Sequence, residues 1–374
     1  MKFEFVLFKL RNFVIYVIYK LLFRPIAFLI DPEKVHDQTI KLGKAIGSYE
    51  ILKKTTKIFF YFNHPSLEQN ILGIHFPNPV GLAAGFDKNA QLIDILPSIG
   101  FGFVEIGSIT GEPCPGNNKP RLWRLKKSKG LLVNYGLKND GAEIIANRLK
   151  DKKFTLPVGI SIAKTNSPKT VNLQNAIDDY LKVCQYFSNI GDYWTINISC
   201  PNSFGGEPFT NPENLDKLLT EIDKIKTQKP IFLKISPDLT KTEINDIINI
   251  IKNHNINGFV CTNLTKKRNN LFEKNLPEKG GISGQPVKNL SNEIISYIYQ
   301  RTKGQYLIIG VGGIFSANDA YEKIKLGASL VQLITGMIFE GPQLISSINL
   351  GLVELLKKDG FSSIKEAIGT KKYE

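Results

Sequence analysis

The sequence predicts an α/β protein, a parallel (β/α)8 TIM barrel preceded by an N-terminal helical, membrane-docking extension. Three observations carry that reading. From Asn78 onward, eight short β-rich runs alternate with longer helix-patterned stretches. Each run is almost wholly apolar, as strands covered on both faces must be. The first run leads into Ala83-Ala84-Gly85-Phe86-Asp87-Lys88, not into the G-x-G-x-x-G turn usual in an open doubly wound sheet.

Taken in order, the chain begins with an apolar stretch, Phe13 to Tyr19, which Lys20, Arg24 and Pro25 interrupt before Ile26 to Ile30. No uncharged run reaches the length of a spanning helix, and no small-residue cleavage site follows, as a signal peptide requires. Aromatic and aliphatic residues mixed with Lys9, Arg11, Lys20 and Arg24 suit a helix lying in the bilayer interface, its basic side chains reaching the headgroups. Asp31-Pro32 supplies an N-cap and an N1 proline for a second helix ending near Gly47. Residues 1–50 are therefore expected to form the docking extension and 51–374 the barrel; a helical cap packed on the barrel is the alternative reading of the extension. The expected strands are Val80–Ala83, Phe103–Ile106, Val158–Ile162, Trp194–Ile198, Ile231–Ile235, Gly258–Cys261, Leu307–Val311 and Leu330–Ile334. Helical patterns run over Leu173–Phe187, Asn214–Lys226, Lys241–Lys252 and Ala317–Leu326. The segment Gly111–Leu137 is too long for a minimal barrel unit and is expected to cross the active face.

With 374 residues, 42% of them hydrophobic, the chain can build one large core and an accessory segment. A net charge of +14 points to an anionic partner such as a membrane surface, nucleic acid or an acidic small molecule, and a merely lysine-rich surface gives the same number. The cysteines at 114, 184, 200 and 261 show no metal-ligand spacing and read as reduced thiols.

In a barrel, the strand C-termini are the site. Here they present Lys88, Ser108, Ser161 with Lys164, Asn197 with Cys200 and Asn202, Lys234, Thr262 with Asn263, Gly312-Gly313 and Thr335-Gly336. The set lacks the carboxylate pair of a glycosidase and the His/Asp cluster of a metal hydrolase. Glycines after strands seven and eight suit a phosphate, because backbone N–H groups can approach it closely; they serve equally as turn formers. Gly280–Gly284 adds a further flexible segment. Lys234 points a charge inward, where it could stabilise an electron-rich reduced ring. Cys200 between Asn197 and Asn202 reads as a base or nucleophile flanked by hydrogen-bonding amides, or as a buried thiol beside turn-forming asparagines.

These motifs together resemble the dihydroorotate dehydrogenase family: Gly81–Lys88, Glu105–Ser108, Pro115-Gly116-Asn117 with Lys119-Pro120-Arg121, Ile196–Asn202, Lys234–Leu239, Thr262-Asn263, Gly280–Gly284 and Ile309–Ile314. The resemblance implies an FMN-containing barrel that oxidises dihydroorotate to orotate in pyrimidine synthesis. It implies that Ala84, Gly85, Ser108, Ser161, Asn197, Lys234, Thr262, Gly284, Gly313, Thr335 and Gly336 hold FMN. Lys88, Asn134, Asn197, Asn202 and Asn263 would hold substrate, and Cys200 would remove the C5 proton while hydride leaves C6 for the flavin.

The segment Asp31–His36 and Arg124 resemble the quinone-reducing class, in which the positions of His36 and Arg124 line the quinone tunnel; a Cys base belongs instead to the soluble class that uses fumarate or NAD. The extension decides the expectation: quinone as acceptor, at the cytoplasmic face of the cell membrane, peripherally bound to an anionic surface, with no nucleic-acid partner, no metal and a monomeric state. The family's Asn-x-x-Gly loop stands here as Val133-Asn134-Tyr135-Gly136, one position displaced. Ser161 replaces a flavin-contacting Asn of the quinone class, Leu264 a hydroxyl residue and Ile334 a Tyr. Competing readings are a soluble-type dihydroorotate dehydrogenase, a flavin barrel that reduces uridines in transfer RNA, and a membrane-attached flavin-binding scaffold. The transfer-RNA reading predicts a basic RNA-binding domain after the barrel, for which little chain follows Gly336; the scaffold predicts loss of Lys88 or the base, and both are present.

Overall fold

The computed structural model describes residues 2–269 and 271–373. Its centre is a closed barrel of eight parallel strands, Val80–Leu82, Phe103–Ile109, Val158–Ile162, Tyr193–Asn197, Ile231–Ile235, Gly258–Cys261, Leu307–Val311 and Leu330–Leu333, joined in chain order and closed by Val80 against Val331. These are the eight apolar runs of the sequence. The lower interior is filled by Phe76, Phe103, Tyr193, Phe232, Val260, Ile309 and Leu330. Two small residues make that packing possible: a Cβ on Gly81 would lie 2.4 Å from the Phe103 ring, and one on Gly159 2.1 Å from the Tyr193 ring. Phe76 arrives on a hairpin, Gln69–Ile71 against Ile74–Phe76, that the sequence pattern does not announce.

Above this apolar layer the barrel turns polar. Buried Glu105 accepts hydrogen bonds from Thr195 Oγ1 and Gln332 Nε2, both at 3.0 Å. It is also the carboxylate that opposes the effect of burial on Lys234, whose pKa burial lowers from its ordinary value. A lysine that would be costly to bury alone thus has its counter-charge inside the same barrel.

The N-terminal extension differs from expectation in its continuity and in what its basic residues hold. Helix α1 (Lys2–Ile18) continues through a π-helical turn (Tyr19–Phe23) into α2 (Arg24–Leu29), so Lys20, Arg24 and Pro25 do not interrupt it. The wider turn places Arg24 N–H on Tyr19 O and accommodates a proline that cannot donate to the helical ladder. The stretch Glu4–Leu29 is long and apolar enough to cross a bilayer by length and composition, yet its polar side is fastened along the barrel. Lys9 pairs with Glu354 (2.6 Å) and Lys20 with Glu340 (2.7 Å). Arg11 donates to Ile58 O, Tyr61 O and Ser346 Oγ at 2.9, 3.0 and 2.6 Å. The basic residues expected to reach headgroups therefore hold the helix to the protein. Leu10, Phe13, Leu21, Leu22, Phe23, Ile26 and Leu29 remain exposed on the other side.

Helix α3 (Pro32–Gly47) begins where the sequence places it, with the Asp31 carboxylate accepting from Lys34 N–H at 3.0 Å. Helix α4 (Glu50–Phe60) follows, starting at the boundary expected near residue 50 and packing beside α3. The excursion after the second barrel strand forms Leu122–Leu125 and Gly130–Val133, and Gly281–Gly284 adds to them as a third antiparallel strand. The glycine-rich segment read as flexible is thus paired: Ile282 sits opposite Leu132 and Gly284 opposite Gly130.

Candidate active site

One cavity of about 710 Å³ begins at the strand C-termini and runs outward between α1 and α3. Among its lining residues are Ala84, Gly85, Ser108, Asn197, Lys234, Thr262, Gly284, Gly313, Thr335 and Gly336, with Lys88, Asn202, Asn263 and Cys200, and farther out His36 and Arg124. Two residues expected at the site do not line it. Ser161 is fully buried behind Ser108, the two hydroxyls 2.8 Å apart. Asn134 turns its Oδ1 to Asn117 Nδ2, at 3.0 Å, as the one-position displacement of its loop would suggest.

The fourth strand positions the chemistry. It delivers Asn197 to the barrel mouth, where Nδ2 donates to Ser108 Oγ (2.9 Å) and Oδ1 accepts from Asn263 Nδ2 (3.2 Å). Asn263 is further held by Ser199 O at 2.7 Å. Asn202 donates to Val133 O at 2.9 Å, while its Oδ1 is buried without a protein partner. An amide oxygen left in that state is an acceptor in need of a donor.

Cys200 lies between these amides, partly accessible. Burial pushes its thiol up to about 11, against the lowering influence of the Asn202 backbone N–H and of Lys164. Lys164 is itself buried and donates to Phe204 O at 2.5 Å, on the loop that carries Cys200. On the opposite wall, burial and the nearby Lys138 bring Lys88 down to about 8, with Nζ 4.2 Å from the centre of the Tyr135 ring. Tyr135 is a lining residue that sequence reasoning passed over, although it occupies the altered Asn-x-x-Gly loop.

Outward, the wall becomes apolar, with Ile15, Ile18, Phe23, Val35, Leu42 and Phe60. Burial, with Lys88 nearby, holds His36 down at about 4, so it is neutral at pH 7. Its Nε2 donates to Phe86 O at 2.8 Å. Arg124 donates to Ile30 O at 2.7 Å and lies 4.7 Å from the centre of the Phe28 ring. These groups, with Tyr19, Thr39 and Thr56, are the polar side chains of a largely apolar outer region of the same cavity, which suits a second reactant.

A closed barrel with amides, lysines and one thiol at its mouth, continuous with an apolar channel under a helical flap, defines a barrel oxidoreductase with room for two reactants. The family model described as dihydroorotate dehydrogenase matches residues 66–356. A relative from Trichodesmium erythraeum, dihydroorotate dehydrogenase (quinone), is 40% identical over 94% of this chain and 98% of its own. One of the same description from Haloarcula marismortui is 41% identical over 79% of this chain and 83% of its own. The ligand-free dihydroorotate dehydrogenase structure from Eimeria tenella superposes with a TM-score of 0.82 at 33% identity, covering 91% of this chain and 99% of that one. A structure of the Eimeria tenella protein in complex with ferulenol gives 0.79 at 32%. The chain belongs to the dihydroorotate dehydrogenase family, a family of flavoenzymes.

Proposed function

We propose that this chain oxidises dihydroorotate to orotate for pyrimidine synthesis and passes the electrons through FMN to a membrane quinone. The observation that carries the proposal is the continuity of one cavity from Cys200, Lys88 and the asparagines to the apolar channel between α1 and α3. A planar, doubly amidic substrate suits a wall of carboxamides, and Asn202 Oδ1 is a buried acceptor with no protein donor. Lys88 supplies a cation for its carboxylate.

The residues present fit FMN. Thr335 and Gly336 open the helix Thr335–Glu340, and their N–H groups have no intrahelical acceptor. Gly336 lies so close to Ile314 O that a Cβ there would be 1.9 Å away, and Gly313 has a φ of +70° with Lys288 packed behind it. Backbone is thus brought to the cavity wall where side chains are excluded. Ala84, Gly85, Ser108, Asn197, Lys234, Thr262, Gly284, Gly313, Thr335 and Gly336 would hold the cofactor, and Ser161 would act through Ser108. When bound, FMN supplies the acceptor for the hydride that leaves C6.

The chain's own part is the proton and the geometry. The Cys200 thiolate takes the proton from C5, leaving the ring double bond of orotate, while Asn197, Asn202 and Asn263 fix the ring plane. Lys234 places a positive charge at the barrel centre that favours a reduced, anionic ring. In the outer channel, Arg124 offers hydrogen-bond donors to a quinone, while neutral His36, its single N–H given to Phe86 O, leaves Nδ1 as an acceptor. The outward face of α1 and α2 lies in the membrane interface at the cytoplasmic surface, bringing the channel entrance to the quinone pool.

The test is anaerobic reduction of the purified holoenzyme by dihydroorotate, followed by separate addition of a quinone, fumarate or NAD. Rapid reoxidation by quinone alone supports the reading. Cys200 is the residue that favours the soluble-type acceptors, and reoxidation by fumarate or NAD but not quinone would overturn the acceptor assignment while leaving the substrate intact.

A further inference from the structure

The ion pair at the start of α3 connects two regions that the reaction uses separately. Glu33 is buried, and its carboxylate takes a two-pronged contact from Arg121, Nε to Oε2 at 3.1 Å and Nη2 to Oε1 at 2.8 Å. Lys119 and Lys138 stand 3.5 Å from the same carboxylate. The remaining Arg121 nitrogen, Nη1, donates to Pro115 O (2.8 Å) and Asn117 O (2.7 Å). Asn117 then donates through Nδ2 to Asn134 O, Asn134 Oδ1 and Asn202 O, at 3.1, 3.0 and 3.2 Å. Its Oδ1 accepts from Asn166 Nδ2 at 2.9 Å.

An unbroken chain therefore runs from the first turn of α3, through Arg121 and Asn117, to the loop bearing Cys200 and Asn202. It has little slack. A Cβ on Gly116 (φ +80°) would lie 2.6 Å from Arg121 Nη1, and one on Gly136 (φ +66°) 2.5 Å from Asn117 Cγ. None of these bonds reaches the quinone side of the cavity, so the quinone channel does not account for them.

We propose that Glu33 is a positioning residue that couples the seating of the helical extension to the order of the substrate loop, so that docking of α3 tightens orotate and dihydroorotate binding. The substrate named rests on the proposed function; the coupling does not. By linkage, anything that loosens the extension weakens substrate binding, and bound substrate stabilises the extension.

A double-mutant cycle on the full-length holoenzyme in detergent tests this, with Glu33→Gln, Asn117→Ala and the double variant. Asn117→Ala breaks the chain at its middle and leaves the buried ion pair whole. Orotate Kd is measured by equilibrium dialysis, and backbone hydrogen exchange is followed over residues 114–139 and 199–206. Each single variant is expected to raise Kd about tenfold, with the double no worse than the weaker-binding single. The KM for dihydroorotate should rise in step while kcat with a soluble dye acceptor changes by less than about twofold. Additive effects, or a wild-type Kd in Glu33→Gln, would overturn the coupling. If the unaltered protein binds no orotate, the substrate assignment fails instead. The coupling is then decided by exchange alone: faster exchange at 199–206 in Glu33→Gln supports it, and unchanged protection sinks it.

Discussion

At the scale of single residues, the environment of Cys200 sets the pH dependence. A free thiol titrates near 8.5, and from sequence alone the rate should level off around that value. Burial instead raises Cys200 to about 11, with Lys164 the nearby cation that works against it. As a base, the group acts only as thiolate, so the thiolate fraction grows about tenfold per pH unit while pH stays below the pKa. Flavin reduction at saturating dihydroorotate, followed by stopped flow, is therefore expected to climb from pH 7 to pH 10 without a plateau near 8.5, while the dihydroorotate Kd rises above about pH 8 as Lys88 loses its proton. Cys200→Ala should slow that step by about 10²–10⁴-fold and leave FMN bound. A plateau near 8.5 would mean that the loop holds the thiol in a wetter setting than the structure shows.

At the scale of elements, the seat of α3 depends on Glu33. Burial works to raise this carboxyl, but the Arg121 hydrogen bonds and the charges of Arg121, Lys119 and Lys138 hold it down at about 2. A depressed folded pKa contributes stability that is complete above the unfolded value near 4.5 and lost as pH falls through the folded one. Limited proteolysis of residues 30–60 should therefore accelerate between about pH 4.5 and about pH 2, and Glu33→Gln should remove that dependence on pH. The start of α3 was legible because Asp31 caps it through a bond three residues away. The continuity of α1 into α2 was not, because the groups that receive Lys20, Arg11 and Lys9 are Glu340, Ser346 and Glu354, over 300 positions later. The same holds for Gly281–Gly284: as local sequence it reads as loop, and only pairing with Gly130–Val133 makes it a strand. The eight barrel strands needed no such partner information, since burial on both faces is written into each run. Of the site, residues at strand ends follow from the barrel itself, whereas Asn134 and Ser161 were displaced by contacts with Asn117 and Ser108 that no spacing encodes.

At the scale of the whole molecule, apolar surface runs along all of the extension, with Leu42, Ile51, Ile58 and Phe59 exposed on α3 and α4, where exposed lysines accompany it. Lys9, Arg11, Lys20 and Arg24 of α1 and α2 bond to the protein, leaving an outward face of Leu10, Phe13, Leu21, Leu22, Phe23, Ile26 and Leu29. Exposed lysines that the ion pairs described above do not engage lie on α3 and α4, at Lys34, Lys41, Lys44, Lys54 and Lys57. Membrane binding should then separate into two contributions. Apolar burial acts on any bilayer, while each lysine near an anionic surface adds on the order of 1 kcal/mol that salt screens. Vesicle co-sedimentation can resolve them. Phe13→Asp with Leu22→Asp is expected to weaken binding to neutral and anionic vesicles alike. Lys41→Glu with Lys44→Glu and Lys54→Glu should weaken binding to anionic vesicles only, by roughly 10²-fold or more at low salt, with the difference shrinking as salt is added. Both sets should retain reduction of a soluble dye by dihydroorotate, because none of these side chains approaches Cys200 or the barrel mouth. Neutral vesicles that bind the lysine variants no better than the aspartate variants would show that charge, not the apolar face of α1, attaches this chain to the membrane.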